Sequence, residues 1–168
     1  MIDSSYNNKT KQMRRLLVIQ EHNADKAGLH WDVRFEYDLG CSDKYDSMRP
    51  NTNEPTNSTT KKVLKSFVIP KHTMPQDKAL LTIGVEDHPW EYKDFEGEIK
   101  EGYGKGTVKL IHNDYVHVPE FTEDKIVFLY NKTMYQIKRA PWMKGKKGYL
   151  ITKLETLTDK KIECLTRQ

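Results

Sequence analysis

The segment 29–37, Leu-His-Trp-Asp-Val-Arg-Phe-Glu-Tyr, alternates apolar and ionisable side chains without a break. Successive side chains of a β-strand point to opposite faces, so this segment is predicted to be a strand with one apolar and one ionisable face. The apolar face would consist of Leu29, Trp31, Val33, Phe35 and Tyr37. The ionisable face would consist of His30, Asp32, Arg34 and Glu36.

Short strand patterns of the same kind recur along the chain. Runs rich in branched and aromatic residues stand between turn residues at 14–21, 63–69, 79–86, 106–112, 125–130, 133–139 and 148–154. No window keeps an apolar period of 3.6 over a dozen residues, which argues against long amphipathic helices. About eight short strands with brief connections predict an all-β domain with little helix. The pattern fits a barrel or a sandwich, and we expect a compact closed β-barrel, because closure leaves no unpaired edge strand.

The bulk composition is that of one globular domain with a mild basic bias. The chain has 168 residues, 31% of them charged, and a formal net charge of +4, which is compatible with a polyanionic partner. No apolar run approaches membrane-spanning length and the amino-terminal segment lacks the core of a signal peptide, so we expect a cytoplasmic protein without a membrane partner. Cys41 and Cys164 match no metal-binding spacing and are expected to be unpaired thiols, with one disulfide between them as the alternative. We expect a monomer.

Three segments are predicted to lie outside the strand framework of a domain spanning 14–158. Residues 1–13 form a polar amino-terminal tail and residues 159–168 a carboxy-terminal tail. Residues 41–62 are rich in Asn, Thr, Ser and Pro and carry no strand pattern. A connection of that length is either a flexible solvated insertion or a functional lid.

The ionisable face has the composition of a metal and phosphate site. An imidazole and a carboxylate are ligands for a divalent cation, and a guanidinium is a bidentate partner of phosphate. An exposed strand face with cross-strand ion pairs would give the same pattern. His22 follows strand 14–21, and the turn-like segment 23–28 leads from it to His30. The resulting hairpin would complete a set of two histidines and one carboxylate with open positions, whereas the alternative is a lone surface histidine.

Two downstream segments carry further polar groups. Residues 85–92, Val-Glu-Asp-His-Pro-Trp-Glu-Tyr, are predicted to form a loop at the barrel mouth in which His88 and Tyr92 donate to a phosphate. Ordinary turn chemistry before a proline also accounts for Glu86 and Asp87. Residues 102–106, Gly-Tyr-Gly-Lys-Gly, are predicted to form a tight turn or bulge, because no helix follows as a nucleotide-binding loop requires.

Together these segments resemble the 3′-phosphoesterase domain of bacterial DNA ligase D and its free-standing archaeal and bacterial relatives. The resemblance runs from about residue 16 to residue 154. It rests on 18–22 (VIQEH), 29–36 (LHWDVRFE), 64–71 (LKSFVIPK), 85–92 (VEDHPWEY), 94–97 (DFEG) and 102–108 (GYGKGTV). A His-x-Asp-x-Arg strand followed by Glu-Asp-His-Pro and Tyr-Gly-x-Gly is highly specific as a set.

The resemblance implies a fold, an activity and a role for each matching residue. The fold is a β-barrel of about eight strands. The activity is manganese-dependent removal of 3′-terminal ribonucleosides and 3′-phosphates from DNA or RNA ends, leaving a 3′-hydroxyl for a separate polymerase or ligase, as in non-homologous end joining. The implied metal ligands are His22, His30 and Asp32, the implied catalytic residues are Arg34, His88 and Tyr92, and the implied supporting substrate contacts are Ser66, Lys71 and Glu86.

Two departures from the family pattern leave alternatives open. His30 follows His22 by eight positions, a longer turn than the family's, which makes Asp25 a conceivable substitute ligand. The loop 41–62 is also longer, and with no ligase or polymerase module in the sequence we expect the free-standing version. Loss of one ligand would favour a non-catalytic module that binds nucleic-acid 3′ ends. A metal-dependent β-barrel oxygenase would leave Arg34 and 86–92 without a role.

Basic residues are the remaining candidates for contact with a nucleic-acid backbone. Lys65, Lys71 and Lys105 are predicted either to hold the strand through its phosphates or to serve as ordinary surface charges.

Overall fold

A computed structural model of the chain describes residues 13–39, 61–144 and 147–167. The strands are β1 (Arg14–Ala24), β2 (Gly28–Asp38), β3 (Lys62–Ile69), β4 (Leu80–Pro89), β5 (Gly97–Ile99), β6 (Gly106–His117), β7 (Glu120–Phe121), β8 (Lys125–Tyr130), β9 (Thr133–Arg139) and β10 (Gly148–Thr156). A 3-10 helix spans Trp90–Asp94, and two short α-helices are α1 (Pro141–Lys144) and α2 (Asp159–Thr166). The predicted all-β class with little helix is confirmed. None of the helices in these ranges is long and apolar enough to cross a membrane.

Some sequence expectations fall outside the described residues. Residues 1–12 of the expected amino-terminal tail lie outside the described residues. Residues 41–60 of the expected loop, which include Cys41, lie outside them as well. Lys62, expected to end the loop, instead begins β3. The segment expected to be a carboxy-terminal tail contains α2. Thr158 is the N-cap residue of this helix, and its side chain accepts a hydrogen bond from the Lys161 N–H. Cys164 is an exposed free thiol, as predicted.

All ten strands belong to one antiparallel sheet with the order β5-β6-β1-β2-β3-β4-β10-β9-β8-β7. The prediction of a closed barrel is wrong, because β5 and β7 end the sheet without pairing to each other. The strands that end the sheet have only three and two residues, and very short edge strands are one way in which sheets limit edge-to-edge pairing.

The apolar face of the central strands forms one wall of the core. Val33 and Phe35 of β2 pack with apolar residues of β1 and β3, and this wall meets Phe128 of β8 and its neighbours in β9 and β10. The Phe35 ring lies edge-on to the ring of Phe128, with centroids 5.1 Å apart. Burying each side chain of this size contributes roughly 1.5–3 kcal/mol. The alternation read from 29–37 is confirmed for this face, except that Leu29 is exposed.

The opposite face of β1 and β2 is also buried. The segment that begins with the 3-10 helix and the turn at 102–105 contact it. The Gln20 side-chain amide donates to the backbone carbonyl oxygens of Tyr92 and Phe95, both at 3.0 Å, which fixes the 3-10 helix above β1. The ionisable face therefore lies under a cover, where each polar group requires a partner.

The segment predicted as a loop at the barrel mouth begins as a strand. Glu86–Pro89 belong to β4, and Leu64 of β3 pairs with His88 after a bulge between Leu64 and Ser66. The loop prediction is wrong there because a bulge lets pairing continue beyond the apolar run. Pro89 is tolerated at the strand end, where a backbone donor is not needed.

Candidate metal and phosphate site

The β1–β2 hairpin aligns the residues predicted as metal ligands. His22 lies directly opposite His30, and Gln20 lies opposite Asp32. The last pair is Ala24 with Gly28, and Gly28 has a φ of +79°, a conformation that glycine adopts readily at the end of such a turn. The long turn therefore leaves both histidines on one face.

The two histidines and the carboxylate form a compact buried group. One ligand atom from each of His22, His30 and Asp32 lies within 4.8 Å of the others, and all three residues are buried. Asp25, the alternative ligand, is exposed in the turn, where its N–H donates to the Lys105 carbonyl oxygen at 2.8 Å. Among the described residues, the group that could hold a metal is His22, His30 and Asp32.

Backbone carbonyl groups orient both imidazole rings. His22 Nε2 lies 2.7 Å from the Gly104 carbonyl oxygen, and His30 Nδ1 lies 3.1 Å from the Gly28 carbonyl oxygen. Because a carbonyl oxygen only accepts, these nitrogens donate. Nδ1 of His22 and Nε2 of His30 then face Asp32, at 3.6 and 3.4 Å. Metal-binding histidines are commonly held in this way by a hydrogen bond from the other ring nitrogen.

Gly104 leaves room for the His22 ring. A Cβ atom at this position would lie 3.3 Å from His22 Cε1, which is tighter than most contacts of its kind. The glycine predicted to serve a tight turn therefore also lets the backbone approach a ligand histidine closely.

The donor atoms of the group suit a divalent cation. Hydrogen bonding to Asp32 raises the pKa of His22, against the opposing effect of burial. Burial acts to raise the pKa of Asp32, but hydrogen bonds from His22 and His30 together with the charge of Arg34 hold it well below its usual range. Asp32 is thus a carboxylate at neutral pH. Two imidazole nitrogens and one carboxylate oxygen suit Mn²⁺, Zn²⁺ or Fe²⁺, which would replace ring protons at this point.

Arg34 is held on three sides beside this group. Its side chain is 3% exposed. Its Nε donates to Gln20 Oε1 at 2.7 Å, one terminal nitrogen donates to Ser66 Oγ at 2.8 Å, and the other lies 3.4 Å from Asp32 Oδ2. A guanidinium has five N–H groups, so donors remain on both terminal nitrogens for a ligand. Burial lowers the pKa of Arg34, while Asp32 opposes that shift.

Gln20 is the residue of the site that sequence reasoning missed. It has no exposed surface, and its amide joins the Arg34 guanidinium to the backbone of the 3-10 helix. The available signal was its position two residues before His22, on the same face of the strand. A glutamine on that face has no distinctive chemistry, so position alone did not reveal its role.

Tyr92 and His88 continue the site beyond Arg34. The Arg34 Cζ lies 4.9 Å from the centroid of the Tyr92 ring, and the His88 ring lies 5.2 Å from the same ring. His88 Nδ1 lies 3.1 Å from the Glu86 carbonyl oxygen, which leaves Nε2 for a ligand. Burial, with the charge of Arg34, lowers the pKa of His88 and favours the neutral imidazole.

The three residues implied as supporting contacts are placed differently from one another. Ser66 is fully buried and contacts Arg34. Glu86 is exposed and contributes its carbonyl oxygen to His88. Lys71 is exposed in the turn after β3, and no described contact joins it to the buried group.

Both interpretations of Lys65 required this residue to lie on the surface, and it does not. It pairs with Phe35 in the sheet and is buried, with its Nζ 3.9 Å from Asp87 Oδ1. Burial lowers the pKa of Lys65, and Asp87 opposes that shift. Its amine is therefore held beside Asp87 and does not extend into solvent as a surface lysine would.

Comparison with known proteins gives partial matches to DNA repair proteins. The chain is 33% identical over 110 residues to the multifunctional non-homologous end joining DNA repair protein LigD of Mycobacterium tuberculosis, which covers 64% of this chain and 11% of that protein. It is 36% identical over 93 residues to the multifunctional non-homologous end joining protein LigD of Pseudomonas aeruginosa, which covers 54% of this chain and 8% of that protein. The chain thus spans about a tenth of the length of these relatives. No family model matches.

Proposed function

We propose that the chain is a divalent-metal-dependent phosphoesterase that removes 3′-terminal ribonucleosides and 3′-phosphates from nucleic-acid ends and leaves a 3′-hydroxyl. The observation that carries the proposal is the shared carboxylate of Asp32. Its Oδ2 lies 3.6 Å from His22 Nδ1 and 3.4 Å from a terminal nitrogen of Arg34. The carboxylate thus connects the residues that would hold a metal ion with the guanidinium that would bind a phosphate.

His22, His30 and Asp32 would hold Mn²⁺ or a related ion, which when bound polarises a phosphoryl oxygen and lowers the pKa of a bound water. Arg34 donates to the phosphoryl oxygens and neutralises the charge that develops on them. Because the Nδ1 proton of His88 is directed at the Glu86 carbonyl oxygen, Nε2 donates to the phosphate or to the departing oxygen only in the imidazolium form, which the negative charge of a bound phosphate would favour. Gln20 and Ser66 keep Arg34 in place, since each accepts one of its N–H groups.

The relatives support a nucleic-acid substrate. Their names identify LigD as a non-homologous end joining DNA repair protein, so a DNA 3′ end is the substrate we propose for this chain. A 3′-hydroxyl is the group that a polymerase extends and a ligase joins, which makes such enzymes the proposed partners. The net charge of +4 supports a polyanionic partner whose binding weakens as salt is added.

Metal binding by this group predicts a gain in stability. Because the three donors come together only in the folded chain, we expect Mn²⁺ at about 100 times its Kd to stabilise the protein by about 2.7 kcal/mol. The increase in Tm should be absent in His22→Ala and retained in Asp25→Ala, whose side chain is exposed in the same hairpin. Equal increases in His22→Ala and the unmodified protein would exclude His22 as a ligand, and loss in Asp25→Ala would assign that role to Asp25.

The activity is tested with primer–templates that differ only in the 3′ end. With Mn²⁺ present, we expect a terminal ribonucleoside and a 3′-phosphate to be removed and a DNA primer ending in a 3′-hydroxyl to stay intact. A primer with a 2′,3′-cyclic phosphate extends the range of ends tested. Tight binding of these primers without product at any divalent metal would contradict the proposal and identify a module that only binds 3′ ends.

A further inference from the structure

A short turn lies fixed against the candidate metal group. The Lys105 N–H donates to the Gly102 carbonyl oxygen at 3.2 Å, and Gly102 has a φ of +93°, which suits a glycine at this turn. The Gly104 carbonyl oxygen accepts from His22, and the Lys105 carbonyl oxygen accepts from the Asp25 N–H. The turn is therefore tied to the β1–β2 hairpin at two successive residues.

Tyr103 lies within this turn and is 73% exposed. It immediately precedes Gly104, so its Cα is about 3.8 Å from the Cα of the residue that contacts His22. The turn that contacts His22 through Gly104 thus carries a large aromatic side chain with most of its surface exposed.

The other aromatic rings around the site already have protein partners. The Tyr92 ring stacks on Phe95 with centroids 5.0 Å apart, and the Arg34 guanidinium lies near the same ring. His88 packs on Tyr92. Tyr103 is the aromatic side chain next to the ligands whose surface is most available to a substrate.

We propose that Tyr103 is a stacking platform for the base of the nucleotide that carries the 3′-phosphate, an assignment that rests on the proposed function. The turn contacts His22 directly, so a phosphate bound by the metal group would be separated from the turn by one ligand side chain. Stacking on an aromatic ring accepts any base, because every base has a π-face. Such a platform would let one site process ends of any sequence.

The proposal is tested by removing the ring and the base separately. We expect Tyr103→Ala to raise KM about tenfold for a 3′-phosphorylated primer whose last nucleotide has a base. The unmodified protein should show a similar increase when that nucleotide is an abasic sugar, and Tyr103→Ala should add nothing on the abasic primer. Tyr103→Phe and Tyr103→Trp should restore the low KM. The matched control is Trp142→Ala, since Trp142 is 74% exposed in α1, next to β10 and three strands from β2 in the sheet.

Four results would overturn the proposal: no change in Tyr103→Ala, the same loss with and without the base, no rescue by phenylalanine, or an equal loss in Trp142→Ala. If the unmodified protein forms no product, the proposed function fails, but the assignment of Tyr103 remains testable. The same variants and primers are then compared by fluorescence anisotropy in the presence of Mn²⁺. The same pattern should appear in the Kd for the primer, and its absence would overturn the assignment.

Discussion

Replacing Asp32 with asparagine should lower kcat/KM for removal of a 3′-phosphate by about a thousandfold or more, equivalent to about 4 kcal/mol of transition-state stabilisation. The amide has nearly the size of the carboxylate but carries no charge. Asp32 lies within 3.6 Å of both histidines and of Arg34, so its charge serves the metal ligands and the guanidinium together. No other carboxylate among the described residues joins the candidate metal group.

The variant should remain folded, because Gln20 and Ser66 still hold Arg34. The contribution of Asp32 to stability has a definite sign. Since its pKa is lowered in the folded state, the stabilisation is present above the unfolded pKa of 3.8 and is lost as pH falls through the folded value. We expect Asp32→Asn to reduce the free energy of unfolding at neutral pH. In acid, the difference in the free energy of unfolding between the variant and the unmodified protein should become smaller.

Asp25→Asn is the matched control for this substitution. It makes the same chemical change in the same hairpin, at an exposed residue. Retained activity in Asp25→Asn with loss in Asp32→Asn is the expected pair of results. The reverse pair would place the metal at the turn and contradict the site described above.

Replacing Arg34 with lysine should lower kcat/KM by about 10²–10³-fold while leaving metal binding in place. A lysine amine has no planar fork, so it cannot donate to Gln20, Ser66 and a phosphate in the same arrangement. The residue is 3% exposed, and the lost bonds leave the oxygens of Gln20 and Ser66 without this donor in a buried site. We expect the free energy of unfolding to fall by about 2–4 kcal/mol.

Calorimetry with Mn²⁺ separates the role of Arg34 from that of the metal ligands. Arg34→Lys should bind the ion with an affinity near that of the unmodified protein and should show its largest defect in the use of the phosphate substrate. Arg167→Lys, at an exposed position after α2, is the control for the same substitution and should match the unmodified protein. Normal turnover in Arg34→Lys would exclude the guanidinium as the phosphate ligand.

The faces of the central strands could be predicted from the sequence because alternation is a local property. In 29–37 every second residue is apolar, so the side on which His30, Asp32 and Arg34 lie follows from strand geometry alone. The hairpin predicted across 23–28 also placed His22 near His30, but its longer turn left Asp25 as an alternative that only the observed register resolves. The burial of this face was not predictable, because the backbone groups that contact it, at 92–95 and at Gly104, are distant in sequence.

Other features depended on information that the pattern does not contain. In β3, both faces are buried, so the sequence Val-Leu-Lys-Ser-Phe has no alternation that would place Lys65 on one side and Ser66 on the other. The open sheet follows from the unpaired ends of β5 and β7, which short runs of residues do not reveal. Gln20 acquires its role only when the 3-10 helix lies above it.

The central claim is that His22, His30 and Asp32 hold a divalent metal required for hydrolysis of a 3′-phosphate. Its most direct test is to strip the protein of divalent metals with a chelator and titrate it with Mn²⁺, following bound ion and phosphate release in the same samples. We predict no turnover without metal, one Mn²⁺ bound per chain, turnover that rises in proportion to occupancy, and neither binding nor turnover in Asp32→Asn. Undiminished phosphate release by the metal-free protein, or normal binding and turnover in Asp32→Asn, would contradict the account.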